Sequence, residues 1–366
     1  MCNPHRKGSL MTLDLNKHLK ALISIGGPSG YEKPVRDLIA ETWRPLSDEL
    51  TITNLGSLKA VRHGSGAAPR PTVMLAAHMD AIGLMVTQID SGFLRTTQIG
   101  GVDSRILPGQ MLTAPPTHNH PVEPPGVVVA PSFFLLPGEA AHEAPPLNHL
   151  LVDTGLRADE IAALVRVGDV ISFAQEPLEL SGDTVAGHTL DNRASVAAVS
   201  VCLDLLSRRT HLWDVAAVAT VQEEVGAIGA AVDPVAIPPD FAIVIDVTFA
   251  NGPGGSGWRK FELGKGVPLT WGINDHPALY QALTSCAEEL DIPIEKDLGP
   301  QGSGTDAYSI QVVESGIPVV EVGIPLRYMH TPVEMVALKD IRRAGRLMAE
   351  FIADLPLDFM SKVLWE

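Results

Sequence analysis

The chain has 366 residues, of which 45% are hydrophobic and 19% charged, and its formal net charge is −16. The composition is that of a globular protein with a large core, and the length suggests two domains or one domain with an insertion. Because an acidic chain without a basic cluster repels phosphate, nucleic acid and anionic membrane surfaces are not expected as partners.

The cysteines and the N-terminus bear on location. Cys2, Cys202 and Cys286 are far apart and odd in number, which argues against a disulfide framework and favours a reducing cytoplasm. No segment approaches the roughly 20 apolar residues needed to cross a bilayer. The start MCNPHRKGSL lacks the apolar core of a signal peptide, and residues 1–11 are expected to be a flexible lead-in.

The chain up to Asp80 predicts two helices, a hairpin and a buried strand. Apolar residues recur at helical spacing in LDLNKHLKALISIGG, which starts at Leu13, and a second helix follows in PSGYEKPVRDLIAETWRPL. ELTITNLGSLKAVRHG has the pattern of a hairpin, and PTVMLAAHMD that of a buried strand.

From about Gly83 to Gln175 the pattern changes to short strand-like runs with many prolines and almost no helical period. GFLRTTQIGG, GQMLTA, PPGVVVAP and VGDVISFAQ are such runs, and they predict a small β-rich domain inserted at residues 82–176. PSFFLLPGEAAHEAPPLNHL is expected to be an irregular loop. Four histidines in this region lack metal-type spacing and are expected to be surface loop residues: His118, His120, His142 and His149.

From Thr184 onward strands and helices alternate. WDVAAVATVQ, FAIVIDV and IPVVEVGIP predict strands, whereas LDNRASVAAVSVCLDLLSRR, HPALYQALTSCAEELD and VALKDIRRAGRLMAEFIADL predict helices. Because α/β stretches flank the β-rich piece, we predict an α/β fold with a central mixed sheet flanked by helices. This catalytic domain is discontinuous, over residues 12–81 and 177–366.

Polar side chains stand at or just past the carboxyl ends of these predicted strands, or open the following helix. Ligands bind at this edge of open α/β sheets. A set of His, Asp and Glu without Cys suits a divalent ion such as Zn²⁺, Co²⁺ or Mn²⁺ in hydrolytic chemistry. The residues are His78 with Asp80, Asp191, Glu223 with Glu224, Asp246, and His330.

His78, Asp80 and Asp191 each admit a structural explanation as well as a functional one. His78 and Asp80 share one face of a strand, so Asp80 could brace a metal-bound imidazole. A core histidine hydrogen-bonded to an aspartate is the alternative. Asp191 opens a predicted helix, where it is either an N-cap or a carboxylate that bridges two metals.

Glu223 and Glu224 follow a strand that is apolar up to Val221. Adjacent carboxylates at a sheet end are unfavourable unless a cation neutralises them or one is protonated. We assign Glu224 as metal ligand and Glu223 as general base, although spacing alone permits the reverse, and a solvated loop pair is the structural alternative. Asp246 and His330 are separately compatible with a helix cap and a structural histidine, but one metal site explains all these positions together.

Seven segments occur in the order typical of a known family: GGPSGYE, AAHMDAIGLMV, LDNR, VQEEVGAIGA, IDVTFA, GSGTDAYSI and IPLRYMHTPVEMV. From about Leu15 to Leu355 the chain resembles the dinuclear metallo-aminopeptidases of peptidase family M42. This family includes tetrahedral (TET) aminopeptidases, bacterial glutamyl aminopeptidases and proteins long labelled cellulase M.

The resemblance implies a zinc-peptidase-like fold and an enzyme that removes N-terminal residues from short peptides. It implies two divalent ions per subunit, with Asp191 bridging, Glu223 as the catalytic carboxylate and Asp80 as the brace of His78. The inserted domain would mediate dimerisation, and dimers of this family often assemble into dodecamers. The metal ligands implied are His78, Asp191, Glu224, Asp246 and His330. The resemblance also implies that Thr305 and Asp306 shape the substrate side of the pocket. The alternative for these two residues is a plain glycine-rich turn.

The sequence departs from the family pattern in three places. Ala81 stands where Glu usually follows His-x-Asp; this position is not a ligand, so metal binding is expected to survive while a neighbouring or substrate contact is lost. The loop PSFFLLPGEAAHEAPPLNHL is longer and richer in proline than expected. DVTFANGPGG lacks an acidic residue often found after that aspartate, so the specificity pocket is expected to differ.

Three other functions fit parts of the sequence. A glycoside hydrolase of endoglucanase type would need two carboxylates about 5–9.5 Å apart and would have no use for His78 and His330. An assembly or regulatory protein that has lost activity is opposed by the complete ligand set. A metal-dependent deacylase or carboxypeptidase would need a basic pocket, for which Arg193, Arg327 and Lys265 are candidates.

Overall fold

The structure is a computed structural model that describes residues 11–113, 125–132, 145–236, 238–253, 257 and 260–364. Its strands form an 11-stranded mixed sheet and a closed barrel. The strands of the sheet are β1 (Glu49–Ile52), β2 (Leu58–Arg62), β3 (Thr72–His78), β10 (Leu178–Leu180), β11 (Thr184–Gly187), β12 (Asp214–Thr220), β13 (Phe241–Phe249), β14 (Val267–Gly272), β15 (Ile294–Gly299), β16 (Val319–Arg327) and β17 (Glu334–Ala337).

The barrel is inserted in the chain between β3 and β10. Its strands are β4 (Gly83–Asp90), β5 (Phe93–Ile99), β6 (Met111–Thr113), β7 (Pro125–Val129), β8 (Leu151–Asp153) and β9 (Val170–Phe173). They close in the order β4-β5-β8-β7-β6-β9 around a core of their own. These strands lie within the predicted insertion of residues 82–176, whereas the domain limits and the role in dimerisation stay predictions.

Helices cover the large sheet on both faces. They are α1 (Leu15–Ile23), α2 (Lys33–Trp43), α4 (Leu190–Leu206), α5 (Ile228–Val232), α6 (Pro277–Glu289), α7 (Asp306–Gln311) and α8 (Leu338–Ala353), while α3 (Ala158–Leu164) belongs to the barrel region. α1, α2, α4, α6 and α8 share one core with the sheet, and α5 and α7 share another on the opposite face. Within the described residues, none of the helices has the length and apolar character needed to cross a membrane.

The central strands are parallel and buried on both faces, which explains their continuous apolar sequences. The strand order is β1-β2-β12-β3-β13-β16-β17-β11-β10, with β14 paired to β15 and β16. Along β3, Val73, Leu75 and Ala77 face the core of α4, whereas Met74 and Ala76 face the core of α5 and α7. This period of two continues into the polar residues that follow the strand.

The predicted α/β fold with a mixed sheet and an inserted β-rich piece is confirmed. The predicted hairpin is β1–β2, which pairs Ile52 with Leu58. Sequence patterns missed only short or edge elements among the described ones, such as α5, α7, β10 and the β14–β15 pair.

The sequence predictions for the histidines and cysteines are confirmed only in part. His149 is exposed as expected, whereas His118, His120, His142 and most of the proline-rich loop lie outside the described residues. Cys202 is buried and free, but Cys286 takes part in a disulfide, which corrects the expectation of isolated cysteines. A cytoplasmic location therefore stays a prediction and loses that support.

Candidate active site

His78 and Asp246 reach the site from neighbouring parallel strands. His78 ends β3 and Asp246 lies within β13, where Val244 pairs with Ala76. Each therefore continues the face that packs against α5 and α7. His78 Nε2 lies 3.9 Å from Asp246 Oδ1 and 3.8 Å from Glu223 Oε2.

Asp191 lies between the two histidines of the site. Its Oδ1 is 3.3 Å from His78 Nε2, and its Oδ2 is 3.5 Å from His330 Nε2. The backbone of Asp191 is not helical (φ −80°, ψ 104°), although it falls in the first turn of α4. Both oxygens of its side chain face imidazoles rather than the first amides of α4, so the structure does not support the explanation of Asp191 as a helix cap.

Asp80 holds the segment that carries the two glutamates. Its Oδ1 accepts a hydrogen bond from the Glu223 amide (3.1 Å), and its Oδ2 accepts one from the Glu224 amide (3.2 Å). The Ser29 hydroxyl donates to the same Oδ2 at 2.6 Å. Asp80 Oδ1 also lies 3.3 Å from His78 Nδ1, which is the side of the imidazole that a brace would contact.

His330 follows β16 and faces the opposite end of the site from His78. Its Nδ1 lies 2.9 Å from the Gly101 carbonyl oxygen. Because a carbonyl only accepts hydrogen bonds, this contact places the proton on Nδ1. Nε2 is therefore left to face Asp191 and Glu224, whose Oε2 is 3.3 Å away.

The donor atoms form two groups of three, His78–Glu223–Asp246 and Asp191–Glu224–His330. Within each group the donor atoms lie within 4.8 Å of one another. All six residues were predicted from the sequence. Asp80, the seventh, supports both glutamates and His78 from behind.

The electrostatics of these residues fit a bound cation. Burial raises the pKa of Glu223 to about 7 and of Glu224 to about 9. Burial also raises the pKa of Asp246 well above its usual range, and neighbouring carboxylates add to the effect. Among the described residues the ion-pair partners of these carboxylates are only His78 and His330. A buried donor set with so many carboxylates suits divalent ions, which would favour the ionised forms.

A cavity of about 770 Å³ opens over these groups. Its described lining contains no Lys or Arg side chain. Beyond the donor residues, it is lined by the loop from Gly299 to Thr305 and by polar residues of β13–β16: Thr248, Thr270, Asn274, Asp275, Asp297 and Glu321.

The two predicted substrate-side residues are placed differently. Thr305 lines the cavity, caps α7 and donates to Glu321 Oε2 at 3.0 Å. Asp306 is 1% exposed, is not part of the described cavity lining, and accepts a hydrogen bond from Thr220. The structure therefore does not bring the Asp306 side chain to the substrate space.

Ala81, the departure from the family pattern, is also held away from the cavity. It is 1% exposed, and its amide and carbonyl bond to Gly27 and Ser29. These two hydrogen bonds use only the backbone of residue 81, and Ala81 is not part of the described cavity lining.

The proposed basic pocket of a deacylase or carboxypeptidase is not present among the described residues. Arg193 is fully buried and donates to the carbonyls of Met79, Leu22 and Ile25. Arg327 donates to the Asn251 carbonyl, and Lys265 is exposed. Neither of these two lines the cavity.

Sequence reasoning missed the roles of three residues that shape the site. Glu334 accepts hydrogen bonds from the backbones of Asp191 and His330, Gly101 fixes the His330 ring, and Ser29 bonds Asp80. The segment HTPVE could have drawn attention to Glu334, because it begins at the predicted site residue His330. IGG, which contains Gly101, lies in the inserted piece and gives no such signal. The roles of both residues, however, depend on backbone groups, which carry no sequence signal.

Comparison with known proteins identifies the family of the chain. A sequence model of the family described as M42 glutamyl aminopeptidase matches residues 56–347. The lysyl aminopeptidase of Pyrococcus furiosus is 36% identical over 347 residues, covering 93% of this chain and 98% of the relative.

Two solved structures share the fold over nearly their whole length. The TET aminopeptidase of a marine sediment archaeon, Thaumarchaeota archaeon SCGC AB-539-E09, is 27% identical, with a TM-score of 0.90 and coverage of 96% and 100%. The TET1 peptidase of Pyrococcus horikoshii is 27% identical, with a TM-score of 0.80 and coverage of 93% and 100%. On the family match and the identity to its relatives, this chain belongs to the M42 glutamyl aminopeptidase family.

Proposed function

We propose that this M42 aminopeptidase removes N-terminal residues from short peptides at a dinuclear metal site. The ligands would be His78, Asp191, Glu224, Asp246 and His330. The observation that carries the proposal is the position of Asp191, whose two oxygens face two different imidazoles at 3.3 and 3.5 Å. A carboxylate in this position can serve both donor groups at once.

Two divalent ions, Zn²⁺, Co²⁺ or Mn²⁺, would supply Lewis acidity that acidifies a water molecule and stabilises negative charge on the scissile carbonyl. Glu223 then acts as the general base. It is the more exposed of the two glutamates, with 12% of its side chain accessible against 5% for Glu224. Glu223 takes a proton from the attacking water and passes it to the leaving amine.

Asp80 keeps this base in place. It accepts the amides of both glutamates and contacts the rear nitrogen of His78. One side chain thereby orients the base Glu223 and one proposed ligand of each donor group, Glu224 and His78. Such contacts behind a metal site fix the ligand geometry. The carboxylates around the cavity also favour the positively charged amino terminus of a peptide over a negatively charged one.

The geometry gives no support to a glycoside hydrolase. That chemistry needs two carboxylates about 5–9.5 Å apart on either side of a sugar bond. Here donor oxygens of Glu223 and Asp246 lie within 4.8 Å of each other, and both are within 4 Å of one imidazole nitrogen, His78 Nε2. A sugar hydrolase would have no use for an imidazole between the carboxylates.

We also propose that the chain forms homo-oligomers, with a dimer as the building block of a larger assembly such as a dodecamer. Contacts between barrels would hold the dimer. The support is the related P. horikoshii TET1 peptidase, which can assemble into a tetrahedron or a large octahedral shell.

A panel of aminoacyl-anilides tests the function. The purified protein is stripped of metal and reloaded with Zn²⁺, Co²⁺ or Mn²⁺, and hydrolysis of derivatives of Leu, Lys and Glu is followed. We expect no hydrolysis by the stripped protein and restored hydrolysis of at least one anilide after reloading, with N-acetylated versions left uncut. Full activity in a strong chelator, or cleavage of the acetylated substrates, would contradict the proposal.

A further inference from the structure

Glu334 is a buried carboxylate that touches the site only through backbone amides. It begins β17 and is 2% exposed. Its Oε2 accepts a hydrogen bond from the Asp191 amide (3.0 Å), and its Oε1 accepts one from the His330 amide (2.9 Å). One side chain thus joins the start of α4 to the loop after β16.

One of the two residues held in this way has an unusual backbone conformation. His330 adopts a left-handed conformation (φ 61°), which non-glycine residues rarely occupy. A backbone of this kind persists only where its surroundings hold it, and Glu334 supplies one such contact. Asp191 is extended rather than helical (φ −80°, ψ 104°) at the start of α4, and its hydrogen bond to Glu334 holds its amide there.

Burial of Glu334 needs an explanation, because a carboxylate removed from water is costly unless it is compensated. Glu334 is not part of the described lining of the cavity, so it does not reach substrate. Its two oxygens instead accept hydrogen bonds from the backbone amides of Asp191 and His330, two residues of the same donor group.

We propose that Glu334 is a positioning residue that fixes Asp191 and His330 relative to each other and so sets the ion affinity of the Asp191–Glu224–His330 group. The inference rests on the proposed dinuclear site. The other donor group includes His78, Glu223 and Asp246, none of which bonds to Glu334. Asp191 faces both groups, whereas His330 faces only Asp191 and Glu224. Because Glu334 holds His330 as well as Asp191, it affects the ion of the Asp191–Glu224–His330 group more than the other ion.

The test is a Zn²⁺ titration by calorimetry of the metal-free full-length protein and of Glu334→Gln. Gln offers one acceptor oxygen and places an NH₂ group against the second amide, so one of the two hydrogen bonds is lost. We expect the unchanged protein to bind two ions, and the variant to bind one of them about 10–100-fold more weakly. The other ion, which shares only Asp191 with the affected group, should be weakened by a smaller factor. The weakened site should be the one that His330→Asn also weakens.

Glu350→Gln is the matched control, because Glu350 is another buried carboxylate (5% exposed) that pairs with Arg209 away from the site. It should lower the unfolding temperature while leaving both ions bound with unchanged affinity. If Glu334→Gln does not fold, Glu334→Asp replaces it, since a side chain shorter by one methylene cannot reach both amides. Equal weakening of both ions, or of neither, in a folded Glu334 variant would overturn the inference. An unchanged protein that binds fewer than two ions would instead overturn the dinuclear site itself.

Discussion

At the scale of single residues, the adjacent side chains of Glu223 and Glu224 lie in different environments. Glu224 is directed toward His330, with its Oε2 3.3 Å from the imidazole, whereas Glu223 is directed toward His78 and remains more exposed. Because adjacent residues on an extended chain point in different directions, the sequence predicts that one glutamate binds metal and the other does not. It leaves open which one, since exposure to the cavity depends on the fold.

Glu223→Gln distinguishes the base from the ligand. Loss of the general base should lower kcat by about 10²–10⁴-fold while the ion content stays near two per chain, because the proposed ligands are retained. The matched change Glu224→Gln, one residue away, should instead lower the ion content. Both quantities are measured on the same preparations, by anilide hydrolysis and by elemental analysis. A fully active Glu223→Gln variant would remove Glu223 from this role.

At the scale of elements, three helices meet at one buried serine. Ser200 of α4 lies 3.0 Å from His18 Nε2 of α1, accepts from Trp43 Nε1 of α2 at 2.8 Å, and donates to the Val196 carbonyl. The long helices α4 and α8 were predicted from sequence. α8 has a clear apolar period, whereas all 17 residues of α4 are buried, and the acidic start and basic end of its segment indicate the helix instead. Short or edge elements were not: α5 has only five residues, and β15 pairs with one neighbour and has a mostly polar sequence.

The buried imidazole at this junction makes stability sensitive to acid. Burial lowers the pKa of His18 to about 4, whereas an unfolded histidine titrates near about 6.5. As the pH falls below the pKa of His18 in the unfolded chain, the unfolded state binds a proton at His18 that the folded state does not. The free energy of unfolding should therefore fall by about 1.4 kcal/mol per pH unit for this one group.

The contribution of His18 is measured by comparing how the free energy of unfolding depends on pH in the unchanged protein and in His18→Gln. His18→Gln removes the titrating group, so its free energy of unfolding should decline less than that of the unchanged protein between pH 6.5 and 5. Denaturant titrations of metal-free protein at several pH values measure both curves. His149→Gln alters an exposed histidine and should leave the pH dependence unchanged. Parallel curves for His18→Gln and the unchanged protein would mean that the pKa of His18 is the same in the folded and unfolded states, which contradicts the prediction.

At the scale of the whole molecule, residues far apart in the sequence converge on one edge of one sheet. His78, Asp246 and His330 arrive on or after β3, β13 and β16, because the carboxyl ends of parallel strands meet at the same edge. This convergence was predicted from strand ends alone. Gly101 could not be predicted in this way, since it follows β5 of the barrel and reaches His330 across the junction of the two bodies.

The charge of the whole chain opposes the assembly that we propose. Each chain carries a formal net charge of −16, so subunits repel one another. Salt weakens this repulsion: the Debye length is about 10 Å at 0.1 M salt and about 30 Å at 0.01 M, so the repulsion reaches further at low salt. Light scattering should therefore show a mass that is a multiple of 39.0 kDa and that decreases as salt is removed. A neutral crowding agent at fixed salt controls for excluded volume, because it does not screen charge. A 39.0 kDa species at every salt concentration would contradict the oligomer, whereas a large mass that does not respond to salt would show that apolar contacts outweigh the repulsion between chains.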